Sequence, residues 1–218
     1  NLNTASRNGI IYHQSTGNTH YLRANANTAA TDSATRFNDT SPTTAQFTVG
    51  TENVVNQDGK LMICYAWANS GPYAFGNYTG NGNADGTFIN VGGRPQVFCG
   101  KPTTSADSWV AKYDALLGYN VNGTRMYWEA TNAVSTSTSD GLVDFISTGV
   151  KNRISSTGLN SSTYGNYIYM AFGIKPLTDG AVNQGRASRD GRGGAPLAIA
   201  TGGTITLDGN FAINTFRA

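Results

Sequence analysis

The sequence predicts an all-β protein built from repeated β-sandwich units, and three observations carry that expectation. Short apolar runs rich in β-branched and aromatic residues recur along the chain, with Gly, Asn, Asp and Ser between them. That is the pattern of strands joined by turns. No long segment carries the 3.6-residue apolar period of a helix. Finally, two stretches repeat each other at one displacement, which points to a duplicated unit.

The expected strands follow in chain order. They are Gly9–Tyr12, Gln46–Val49, Leu61–Trp67, Thr87–Val91, Gln96–Cys99, Trp109–Tyr113, Arg125–Trp128, Tyr167–Phe172, Thr204–Leu207 and Phe211–Ile213. Two strands are also expected between Tyr73 and Lys101, around a Gly-Asn turn. The stretch from Asp140 to Thr148 reads as a strand or a single turn. Many short strands at such spacing suit a sandwich or jelly roll.

The repeat sets the expected domain boundaries. Thr19–Ala26 aligns with Thr124–Thr131, and Ala66-Trp67 aligns with Ala171-Phe172, both displaced by 105 residues (19 to 124, 66 to 171). On this reading residues 1–70 are a first sandwich unit that lacks its opening strands, and residues 71–177 are a complete second unit. Residues 178–218 form a Gly- and Arg-rich linker and a strand-forming tail that turns at Asp208-Gly209. Exposed sheet edges need covering, so the tail strands are expected to complete a sandwich edge, within the chain or on a neighbour.

Composition narrows the function. Charged residues are 13% of the chain, against about 25% in ordinary soluble domains. Polarity rests instead on Asn, Thr, Ser and Gly, which suit turns and solvated strand faces. The 11 Tyr, 9 Phe and 3 Trp argue for a folded core, because disordered chains are poor in aromatics. A net charge of +2 gives no footprint for nucleic acid. No apolar run is long enough to span a bilayer as a helix, so no membrane insertion is expected. The chain opens on Asn1 without a leader pattern, which suggests processing or a fragment.

Several segments together resemble one family. Tyr78–Gly82, Gly93-Arg94-Pro95, the apolar strand ending at Lys101, Trp109–Asp114 and Asn160–Phe172 fit its template in the second unit. Ile11–Ser15, Phe37–Pro42 and Phe47–Gly50 fit it in the first. The pattern, spread over residues 9–177, is similar to the laminin-G or concanavalin-like sandwich repeat of tail-fibre and appendage proteins from marine tailed phages, especially cyanophages. The resemblance implies a structural virion protein, assembled in the host cytoplasm and carried on the extracellular particle. It implies a homo-oligomer that meets other virion proteins and the host surface. A lectin-like module binding host-surface glycan is the alternative, with a glycan depolymerase behind it.

The residues that bear chemistry point away from catalysis. A glycosidase needs paired carboxylates, yet the chain has two Glu, Glu52 and Glu129, and its nearest Asp pair, Asp140 and Asp144, is expected in a turn. His13 and His20 are the two histidines, and no Gly-x-Ser-x-Gly elbow accompanies them. Asn81–Gly86 has oxygen ligands at alternate positions like a calcium loop but lacks the closing Glu, and reads as a turn. Cys64 and Cys99 read as small buried hydrophobes, with a disulfide left open. Trp67, Trp109 and Trp128 read as core, with a sugar-stacking platform as the other possibility. No enzyme activity, cofactor or metal is therefore expected. The residues singled out for interaction are Arg186, Arg189 and Arg192, set among glycines where they could pair with acidic groups of a neighbour.

Overall fold

The computed structural model describes residues 7–113, 125–135, 143–155 and 158–176. In chain order the strands are β1 (Ile10–Ile11), β2 (His20–Arg23), β3 (Thr31–Asp32), β4 (Tyr73–Thr79), β5 (Phe88–Asn90), β6 (Gly93–Arg94) and β7 (Val97–Pro102). They continue with β8 (Val110–Tyr113), β9 (Met126–Tyr127), β10 (Val143–Ile146), β11 (Gly149–Asn152), β12 (Asn166–Phe172) and β13 (Lys175–Pro176). One helical turn, α1 (Ala34–Phe37), follows β3. The described chain is thus nearly all β, with several antiparallel sheets.

At the centre lies a five-stranded sheet in the order β4-β12-β7-β8-β9. Successive side chains of a strand point to opposite faces, and β12 is buried on both. Tyr167 and Ala171 face one core, while Ile168 and Met170 face another. That two-sided burial explains why Tyr167–Phe172 reads as a nearly unbroken apolar run. Its register is long on both edges, from Asn166↔Thr79 to Phe172↔Tyr73 with β4 and from Tyr167↔Pro102 to Phe172↔Val97 with β7.

The inner core joins this sheet to a second one, ordered β10-β11-β5. Ile89, Val143, Phe145 and Val150 of the smaller sheet meet Tyr78, Phe98, Val110 and Tyr167 of the larger. Tyr78 and Tyr167 stack with ring centroids 5.1 Å apart, and the Tyr78 hydroxyl donates to the Leu159 carbonyl at 2.7 Å. The outer core receives the layer β1-β2-β3 instead. Leu22, fully buried, packs with Cys99, Trp109, Ala111, Ile168 and Met170, with Ile11 and Ala30 alongside. Polar links hold this layer down: the Trp109 indole donates to Arg23 O at 2.9 Å, and Lys101 Nζ donates to Asn27 O at 3.2 Å.

Asn1–Pro176 forms one compact unit, in which Leu22 shares a core with the central sheet. Several expectations about single elements are corrected here. Leu61–Trp67 and Gln46–Val49 are not strands. Asp144 lies within β10 rather than in a turn, and Asp140 lies outside the described residues. Cys64 is exposed, while Cys99 is buried; both are free thiols. The tail strands Thr204–Leu207 and Phe211–Ile213 lie outside the described residues.

Candidate functional site: an apolar groove and an exposed extended segment

Among the described residues, the outer face of the central sheet is only partly covered. β1–β3 occupy the end that holds Trp109 and Ile168, and the remainder forms an open groove of about 280 Å³. Val97 and Cys99 from β7, Ala111 and Tyr113 from β8, Met126 from β9, and then Trp128 and Phe172 line it. These positions share one face because strand residues two apart do. The lining side chains are mostly apolar, and no Asp, Glu, Lys or Arg is among them. Burial pushes the Cys99 thiol far up and the Tyr113 hydroxyl up, so both stay protonated at neutral pH.

Aromatic side chains mark the two rims. Trp128 is 46% exposed and leans on Trp109, with ring centroids 5.8 Å apart, whereas Trp109 itself is 1% exposed. On the other rim Trp67 meets the Phe172 ring edge-on at 5.7 Å and stacks with Tyr65 at 6.2 Å. Phe172 also touches Tyr73 and Phe75. Of the three tryptophans expected in the core, therefore, only Trp109 is buried there; Trp67 and Trp128 are half-exposed because they stand at rims.

Trp67 ends the segment Leu61–Trp67. Leu61 is 71% exposed, Ile63 54%, Tyr65 74% and Trp67 49%. Among the described residues no strand pairs with this segment. The neighbouring edge explains why. β4 would be its natural hairpin partner, but the Asn69 side chain already occupies the edge of β4 at Phe75. Its Oδ1 accepts from Phe75 N–H at 3.1 Å and its Nδ2 donates to Phe75 O at 3.0 Å. Gln14 Nε2 donates to the same carbonyl at 2.9 Å. A side-chain amide that copies a strand's donor and acceptor blunts a sheet edge.

The other candidate residues carry structural duties. Glu52 holds Arg36 at 2.8 Å, and Glu129 Oε2 accepts the Trp109 backbone N–H at 3.0 Å. Asp144 pairs with Arg153 Nε at 2.5 Å. His13 is buried; its Nδ1 accepts the Ser15 N–H at 3.2 Å, so Nε2 carries the proton donated to Tyr169 O at 3.1 Å. Desolvation lowers its pKa. His20 lies in β2 with Nδ1 2.8 Å from Thr19 Oγ1.

In the loop Asn81–Gly86 the oxygens that a cation would require face protein donors. Asn81 Oδ1 accepts from Asn83 N–H at 3.0 Å, Asn83 Oδ1 from Asp85 N–H at 2.9 Å, and Asp85 Oδ1 meets Lys151 Nζ at 2.8 Å. The ammonium of Lys151 thus sits where a positive charge would be wanted, and it holds the Asp85 carboxyl below its usual pKa. Among the described residues, no cluster of three or more His, Cys, Asp or Glu is placed to hold a metal. Arg186, Arg189 and Arg192 lie outside the described residues.

Sequence reasoning missed two buried polar residues that organise this face and its surroundings. Lys101 has no exposed surface; its Nζ donates to Asp107 O at 2.6 Å and lies 5.7 Å from the Trp109 ring, and burial lowers its pKa to about 8. Asn160 is equally buried, and its Nδ2 donates to Asn81 Oδ1, Asn83 O and Ile154 O at 2.7 to 2.8 Å. In the sequence Asn160 stood out only as the start of the matched segment Asn160–Phe172.

Comparison with known proteins places the chain by family. Residues 1–176 match the family described as Domain of unknown function (DUF7483), and the chain belongs to it. No curated protein and no solved structure matches.

Proposed function

We propose that this protein is a non-catalytic structural subunit of a virion, a tail-fibre or appendage component that assembles with copies of itself and contacts the host surface. The observation that carries the reading is the pairing of an apolar groove with the exposed segment Leu61–Trp67. Contiguous exposed apolar surface is the mark of a contact face rather than a solvated one. The low charge and neutral polar turns fit an extracellular spacer, and both glutamates are committed to structural bonds.

The finer architecture belongs to the same proposal: two tandem laminin-G-like sandwich units, the first incomplete, with a strand-forming tail. Two hairpins support it. β1 pairs with β2 through Ile11↔Leu22, and β8 pairs with β9 through Ala111↔Met126. They occupy corresponding places in the sequence repeat, since β2 displaced by 105 residues falls on β9 and its flanks (20 to 125, 23 to 128).

Antibodies raised against the chain should decorate the tail or its appendages on particles of the phage that encodes it, seen by negative-stain microscopy. Particles that carry none of the protein would end the proposal. The half-exposed Trp67 and Trp128 favour one second reading, a glycan-stacking platform. A glycan array separates the two: saturable binding to a host polysaccharide, lost in Trp128→Ala, would favour the lectin reading.

A further inference from the structure

We infer that Leu61–Trp67 is an extended docking segment whose partner is a second copy of this chain, each copy laying the apolar side chains of the segment into the other's groove. The inference rests on the assembly reading above and narrows it to one contact. Three observations carry it.

The first is the repeat. Leu61–Trp67 is displaced by 105 residues from the stretch that ends β12 (66 to 171), and β12 is bonded along both edges. The same pattern of apolar residues thus forms a fully partnered strand at one site and, among the described residues, an unpartnered segment at the other. Such sequences have strand propensity through their branched and aromatic residues and lack only a neighbour.

The second is complementarity. The segment holds no charged residue between Leu61 and Trp67, and no Asp, Glu, Lys or Arg lines the groove. The chain's net charge of +2 opposes self-association only weakly. A groove of 280 Å³ takes about two branched aliphatic side chains, given that an apolar cavity of about 150 Å³ accepts a benzene-sized group. Leu61 and Ile63, two apart and therefore on one side of an extended segment, are such a pair. Trp67 already lies against Phe172 at the groove's rim, so the segment and its receptor adjoin and a two-fold arrangement makes both contacts at once.

The third is area. Leu61, Ile63, Tyr65 and Trp67 are 49–74% exposed, which leaves on the order of 500 Å² of these residues open. With the groove and its Trp128 rim, each copy reaches the lower end of specific interfaces, roughly 600 Å² per partner.

The test uses the full 218-residue chain. Light scattering after size exclusion should give twice the chain mass for the wild type at micromolar concentration. It should give the single-chain mass for the double variant L61D/I63D and for the groove variant Trp128→Asp, with melting curves confirming that both fold. A monomeric wild type, or an oligomer whose mass ignores L61D/I63D, overturns the inference. The latter outcome leaves the assembly reading standing, whereas absence from the particle ends that reading whatever the oligomeric state.

Discussion

Replacing Leu22 by Ala tests whether the amino-terminal layer is part of the main core. Leu22 lies in β2, has no exposed surface, and packs between Cys99, Trp109, Ala111, Ile168 and Met170 of the central sheet. The substitution removes three carbons from a site walled by strands that cannot close over the gap, because β12 is pinned on both edges. The cost should be about 3 kcal/mol, within the range for buried leucines that leave a cavity. For a compact unit of this size that lowers Tm by about 6–12 °C. The assay is thermal unfolding followed by tryptophan fluorescence, since Trp109 donates its indole N–H to Arg23 O beside the site. Leu61→Ala is the control: at 71% exposure it should move stability by no more than about 0.5 kcal/mol in the monomer. If Leu22→Ala left the main transition in place, or split off a separate low-temperature one, residues 7–32 would not share the core and the packing argument would fail.

Other consequences follow from particular contacts. Asn160→Ala removes the donor to Asn83 O and to the buried Ile154 O and the acceptor of the Asn81 N–H, so it should cost about 1–3 kcal/mol and speed amide exchange across Asn81–Asp85; unchanged exchange would show that the loop is held otherwise. Gly149→Ala should destabilise by about 2 kcal/mol or more, because its Cβ would lie 2.0 Å from Ile89 O where β11 pairs with β5; wild-type stability would contradict that register. Stability should also follow pH in three parts, read from melts across a buffer series. His13 has a lowered folded pKa, so the unfolded chain binds the extra proton and stability falls as pH drops below about 6.5. Lys101 and Lys112 are held near about 8, so stability rises from there towards the unfolded value of about 10.4. Tyr167 is raised to about 12 and Tyr78 is raised as well, so stability falls once unfolded tyrosines ionise above about 10. A flat alkaline profile would argue that these groups are solvated.

What the sequence determined by itself was the class of structure and most of its strands. β-branched and aromatic content and turn residues act locally, so Tyr167–Phe172, Trp109–Tyr113 and Gln96–Cys99 were legible without tertiary information. The repeat was legible too, as a displacement shared by two segments. Tertiary structure decided which apolar runs found partners. Leu61–Trp67 has the composition of a strand, but Asn69 and Gln14 occupy the edge of β4 that it would need, and a strand exists only where a neighbour bonds its backbone. Trp109 and Trp128 look alike in sequence and differ in burial because one faces the layer carrying Leu22 and the other stands at the groove's rim. Asn81–Gly86 likewise has the spacing of a cation loop, and Lys151, brought from a distant strand, supplies the positive charge. In each case the local pattern offered a set of possible partners, and long-range packing selected among them.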